Sequence, residues 1–243
     1  MQPVAQKKKT SPWLYVGIGC GGLVLLAIIG TVAAVMFGVS KIKEIKEDMA
    51  NPVTRTEKVK KMLGAQTLPD GYNAFMSLSV PLVMDTAILS TRPPEDAGKH
   101  SKAKGDVRTF MYFHFMSSSM NDREQLMAFM EGRSDDSSVL TRNNIHVNTR
   151  ELIGRGVMEI DGRRLFYLAQ RGEVQSQESK PGAGLTAMVL FECPGQTTLR
   201  MGMWMAPDPS PQAPIDQIDL KGTPGDPDAV KAFMSHFNPC QES

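Results

Sequence analysis

The sequence predicts an α+β fold: a mainly antiparallel sheet flanked by helices, an αβα sandwich, placed behind an N-terminal transmembrane helix and a helical stalk. Three observations predict it. Residues 13–39 hold no charged side chain in 27 positions. Asp161-Gly162 separates two runs of strand-forming residues, a strong signal for a two-residue hairpin because both central positions need positive φ. Helical patterns stand apart from grouped strands instead of alternating with them, with caps at Asn121 and Asp226.

The N-terminal elements come first. Residues 1–12 are polar, with three consecutive lysines from Lys7 to Lys9. As a helix, residues 13–39 would extend roughly 40 Å, against about 30 Å for the hydrocarbon of a bilayer. Trp13 and Tyr15 at one end, and Lys41 and Lys43 at the other, suit the two membrane interfaces. A cleaved signal peptide would have a shorter apolar core, and a lipoprotein acylated at Cys20 would not carry a long apolar run after the cysteine. Gly17 and Gly21, or Gly30, Ala34 and Gly38, have the four-residue spacing that lets two helices approach, so a homodimer is one use for them. The ordinary abundance of glycine and alanine in membrane helices accounts for them more simply. The Lys/Arg count on either side of the span favours a cytoplasmic C-terminal side. The basic tail without acids reads as a signal anchor, and long domains translocate largely regardless of charge, so the domain is expected outside the cytoplasm.

Residues 40–67 read as the stalk, with Thr54 and Glu57 as a capping box after Pro52 and Gly64 as the helix stop. The soluble domain is expected over residues 68–243. Strands are predicted at 74–80 and 82–90, parted at Pro81. The nearly continuous apolar run 107–116 predicts a strand covered on both faces. A helix is predicted over 121–132, with Leu126, Met127 and Met130 facing the core. Strands follow at 145–150 and 151–160, then 163–174 beyond the Asp161-Gly162 turn, with 185–193 and 196–205 as a second hairpin. Residues 206–227 hold six prolines and read as a surface loop. Asp226 caps a last helix with Pro227 at its first position and Val230, Phe233, Met234 and Phe237 as its apolar stripe.

Charge bounds the function. Residues 1–63 hold ten Lys/Arg against four Asp/Glu, and residues 64–243 hold 17 against 22. The basic part flanks the membrane segment, where anionic lipid attracts it. The mildly acidic remainder argues against nucleic acid, whose binding rests on neutralising phosphates.

The sequence suggests no catalytic constellation, and no cofactor is expected. His100, His114, His146 and His236 lack metal-ligand spacing. Ser117, Ser118 and Ser119 sit between a strand and a helix cap, the context of a connector. Cys193 and Cys240 are candidates for a disulfide in an oxidising compartment. Methionine is abundant, with 17 copies, and Met201, Met203 and Met205 alternate so that a strand would place all three on one face. Thioethers suit Cu(I), line pliable apolar grooves or fill a core.

The turn Leu68-Pro69-Asp70-Gly71-Tyr72, the hairpin Glu159-Ile160-Asp161-Gly162-Arg163, the strands through Cys193-Pro194 and the closing helix around Ala232-Phe233-Met234-Ser235-His236-Phe237 resemble the PsbP-like αβα domains over roughly residues 68–240. The layout also resembles single-pass proteins of bacterial envelopes. The resemblance implies a non-catalytic assembly or accessory role. The expected function is therefore a membrane-anchored binding or assembly domain of the cell envelope, with the lipid bilayer and a protein as partners. The alternative is a carrier of a hydrophobic ligand or Cu(I) using residues 201–205.

Overall fold

The computed structural model describes residues 51–93, 106–116, 123–142, 149–174, 182–196 and 198–241. The expected span, the basic tail, the interface residues Trp13, Tyr15, Lys41 and Lys43, and the small residues from Gly17 to Gly38 lie outside them. Among the described residues no helix is long and apolar enough to cross a membrane.

The first described element is helix α1, Pro52–Leu63. Asn51 caps it, its side chain accepting from the amides of Val53 at 3.1 Å and Thr54 at 3.3 Å. The capping box expected at Thr54 and Glu57 is displaced, because Pro52 fits the first helical turn and puts the better cap directly before it. Gly64 ends the helix at φ 59°. The part of the expected stalk that is described is core, not stalk. Val59 and Leu63 are fully buried on the sheet, and the equally buried Arg55 donates from Nε to the carbonyl of Ala74 at 2.7 Å.

Seven strands follow: β1 (Asn73–Val80), β2 (Met84–Ser90), β3 (Thr109–Phe115), β4 (Thr149–Ile160), β5 (Arg163–Val174), β6 (Gly182–Phe191) and β7 (Leu199–Pro207). Their order in the sheet is β1-β2-β3-β7-β6-β5-β4, and every neighbouring pair is antiparallel. Two meanders, β1–β3 and β4–β7, thus join edge to edge through β3 and β7. The α+β class with a mainly antiparallel sheet is as expected. Asp161 and Gly162 turn at φ 50° and 75°, the positive angles that the hairpin signal requires.

Helix α2 (Arg123–Met130) and a short helix α3 (Ser138–Arg142) lie between the meanders, and α4 (Pro227–Met234) closes the fold. Asp226 caps α4 through the amide of Asp228, 3.0 Å away. Two differences from the expectation have physical causes. Of the strands expected at 145–150 and 151–160, residues 149–160 run as one strand, β4, whose two irregularities, between Thr149 and Glu151 and between Leu152 and Gly154, break the alternation, while residues 145–148 lie outside the described residues. In α2 the buried residues are Leu126, Phe129 and Met130, with Met127 only partly covered. The Arg155 guanidinium lies 4.7 Å from the Phe129 ring centroid and closes over it. Asn121, the cap expected for this helix, falls outside the described residues.

Alternation sorts the sheet into two faces. On one face Ala87, Leu89, Phe110, Ala187, Val189 and Trp204 pack against α1 and α4. Its centre is aromatic: Trp204 stacks on Phe233 at 4.5 Å and Phe110 on Phe237 at 4.9 Å, while the indole donates to the Tyr72 hydroxyl at 2.6 Å. On the other face Phe166, Leu168, Met188, Leu190 and Met201 pack against α2 and α3.

Arg171 ties the proline-rich loop after β7 to the sheet. Arg171 Nε donates to Asp208 at 2.5 Å, and its Nη atoms reach Glu151 at 3.2 Å and the carbonyls of Ala213 and Ser210 at 2.8 Å each. The Asp208 side chain is completely buried. Asp208→Ala leaves a buried guanidinium short of its closest anion and frees the Ser210 amide, so it is expected to cost about 2 kcal/mol. Chemical denaturation of the full chain reads this, and an unchanged midpoint would mean that the loop is not held by this pair.

Candidate functional site

The sheet leaves two unusual regions around β3 and β7, one on each face. The first is apolar. Helix α2 packs over β4 and β5. Towards the other edge the same face carries Met76, Leu78 and Val80 of β1, Met84 and Ile88 of β2, Met111, Phe113 and Phe115 of β3, and Met203 and Met205 of β7, each keeping part of its surface in solvent. The register places Met76, Ile88, Met111, Met203 and Met188 in one row across five strands. Phe113 and Phe115 stack with centroids 6.1 Å apart. Strand β3 was expected to be covered on both faces, but burial is complete only for Phe110 and Tyr112 on the opposite face.

This face continues into the β1–β2 turn. Leu82 is 83% exposed, Val83 53% and Met116 38%. Leu82 also holds φ 64°, a conformation that costs a branched side chain energy and that glycine or asparagine would adopt more easily. An exposed leucine in a strained turn carries two costs that a purely structural turn would avoid.

Of the methionines singled out in the sequence, Met201 is 8% exposed within the core under α2, whereas Met203 and Met205 are part-exposed on the same face. Among the described residues no group of three or more His, Cys, Asp or Glu is placed to hold a metal. Cys193 and Cys240 are joined by a disulfide, their Cα atoms 5.2 Å apart. His236 lies at the end of α4 with Nδ1 3.2 Å from the carbonyls of Ala232 and Phe233. His100, His146 and Ser117–Ser119 lie outside the described residues.

The second region is polar and lies on the face of α1 and α4. Ser79, Asp85, His114 and Arg200 are successive cross-strand partners on β1, β2, β3 and β7. The Ser79 hydroxyl donates to Asp85, whose other oxygen lies 3.7 Å from His114 Nδ1. Arg200 donates from Nη1 to the Tyr112 hydroxyl at 3.2 Å and from Nε to the Gln196 side chain at 3.0 Å. Burial, and then the charge of Arg200, lower the His114 pKa, with Asp85 opposing them. Burial raises the Tyr112 pKa, and the Arg200 contact opposes it. The residue types are those of a hydrolytic triad, but the order is not: the carboxylate stands between serine and imidazole, so His114 is two strands from the hydroxyl it would have to deprotonate.

The sequence reading named His114 in this row and missed Ser79, Asp85 and Arg200. The available signal was a charged residue at an inward position of an otherwise apolar strand. No protein-family model, curated protein or solved structure matches this chain.

Proposed function

We propose that this chain is a membrane-anchored, non-catalytic binding or assembly domain of the cell envelope, and that it receives a protein partner on the methionine- and phenylalanine-rich face of β1, β2, β3 and β7. The part-exposed face itself carries the reading. Unbranched thioether side chains adapt to the shape of what covers them, and a contiguous apolar face that ends in an exposed Leu82-Val83 turn is the kind of surface that marks an interaction site. The uncharged residues 13–39 support the anchor. The disulfide supports a domain outside the cytoplasm, where thiols are not kept reduced. The resemblance to PsbP-like domains points to the same accessory role.

Photo-crosslinking in native membranes tests this. A photoreactive residue at Met203 or Leu82 is expected to give a discrete light-dependent protein adduct, whereas one at the exposed Lys221 gives none. Lipid adducts alone, or the same adduct from all three positions, would overturn the assignment of the face.

A further inference from the structure

The polar row contains a buried cation whose contacts among the described residues are neutral. Arg200 is 9% exposed. Its two partners are a phenol and an amide, and among the described residues no carboxylate pairs with it. Arg171, equally buried, has two acids and two carbonyls around it, as the desolvation of a guanidinium demands. Directly across the β3–β7 ladder from Arg200 is His114, whose Nε2 is buried without a hydrogen-bond partner. Side chains directly opposite on neighbouring strands have Cβ atoms about 5 Å apart, so the orphaned ring nitrogen belongs to the residue that stands directly beside the guanidinium.

We propose that Arg200 and His114 form a subsite for an oxyanion, a carboxylate or phosphate group, at the β3–β7 junction. Among the described residues no acceptor pairs with Nη2, and Nη1 is bonded only to the Tyr112 hydroxyl, so the end of the guanidinium offers the paired donors that match two oxygens of one anion. Gln196 and the Tyr112 hydroxyl hold the guanidinium plane. His114 supplies the third donor from Nε2 once it is protonated, with Asp85 on Nδ1 stabilising the imidazolium. Among the described residues the charged groups that act on His114 are Arg200 and Asp85, and Tyr112 stands beside them on the same face of the sheet. Burial, and then the charge of Arg200, disfavour the imidazolium. A bound anion offsets both, so occupancy and protonation of His114 rise together as pH falls.

The test uses the full chain in detergent with selectively labelled histidine. Inorganic phosphate and acetate are titrated separately at low ionic strength while the His114 ring signals are followed. A saturable shift with phosphate, acetate or both is expected, together with a higher His114 titration midpoint at saturation. Phosphate alone marks a phosphate site, and acetate alone marks a carboxylate site. Arg200→Lys keeps the charge and loses the fork, and is expected to weaken binding at least tenfold. His114→Gln is expected to remove the pH dependence of binding, read from the Arg200 Nε–H signal. Absence of saturation with either anion, or equal affinity in Arg200→Lys, overturns the proposal.

Discussion

Loss of the Cys193–Cys240 disulfide is expected to lower the stability of the domain by about 4 kcal/mol, the loop-closure entropy of roughly 48 residues. For a domain of this size that corresponds to a fall in Tm on the order of 10 °C. Cys193 leaves the end of β6 and Cys240 follows α4, so the bond closes the part of the chain that contains β7, the proline-rich loop and α4. Without it the unfolded chain gains freedom, and the folded C-terminus keeps non-covalent ties that include the Asn238 amide on the Leu63 carbonyl at 2.9 Å, Arg163 on the Phe237 carbonyl and the stacking of Phe237 on Phe110. Thermal unfolding of the full chain with and without reductant measures the effect, with Cys193→Ser/Cys240→Ser as the variant in which reductant has nothing to cleave. A shift of a degree or less in wild type would mean that the bond contributes little beyond these ties.

Much of this architecture was legible because its signals are local. Asp161-Gly162 fixed one hairpin by the sign of φ, and Asp226-Pro227 fixed the start of α4 by capping chemistry. Helix α1 was legible as a helix but not as core, because its stripe of Val59 and Leu63 follows a polar, lysine-rich stretch that reads equally well as a stalk. Helix α3 has five residues, too few to show a period. The bulged β4 defeats alternation by construction. The candidate site was harder still. Met203 could be placed on the same face as Met201 and Met205, but its neighbours Met111 and Met188 come from strands whose register no local signal sets. For the same reason the row from Ser79 to Arg200, which spans more than 120 residues of sequence, exists only once β3 pairs with β7.

Gly64→Ala is expected to destabilise the protein by about 3 kcal/mol, through two separable effects. Gly64 ends α1 at φ 59°, where an alanine pays about 1 kcal/mol in backbone strain. A Cβ there would also overlap the backbone carbonyl of Asn238, and backbone yields less readily than the tip of a side chain, which adds a repacking cost of about 2 kcal/mol. Gly132→Ala separates the two. Gly132 follows α2 at φ 79°, and its nearest neighbour would be Arg155 Nε at 3.7 Å, an ordinary contact, so about 1 kcal/mol is expected there. Denaturant midpoints of the two variants give the difference directly. Equal losses would assign the whole effect to φ and remove the Asn238 contact as a constraint. A larger loss at Gly64 would make the junction of α1 with the C-terminal tail a tightly fitted seam. It would also explain why α1, although it follows the expected anchor in sequence, belongs to the folded domain: its last turn is shaped to receive residues 237–240, the same segment that the disulfide and Arg163 hold.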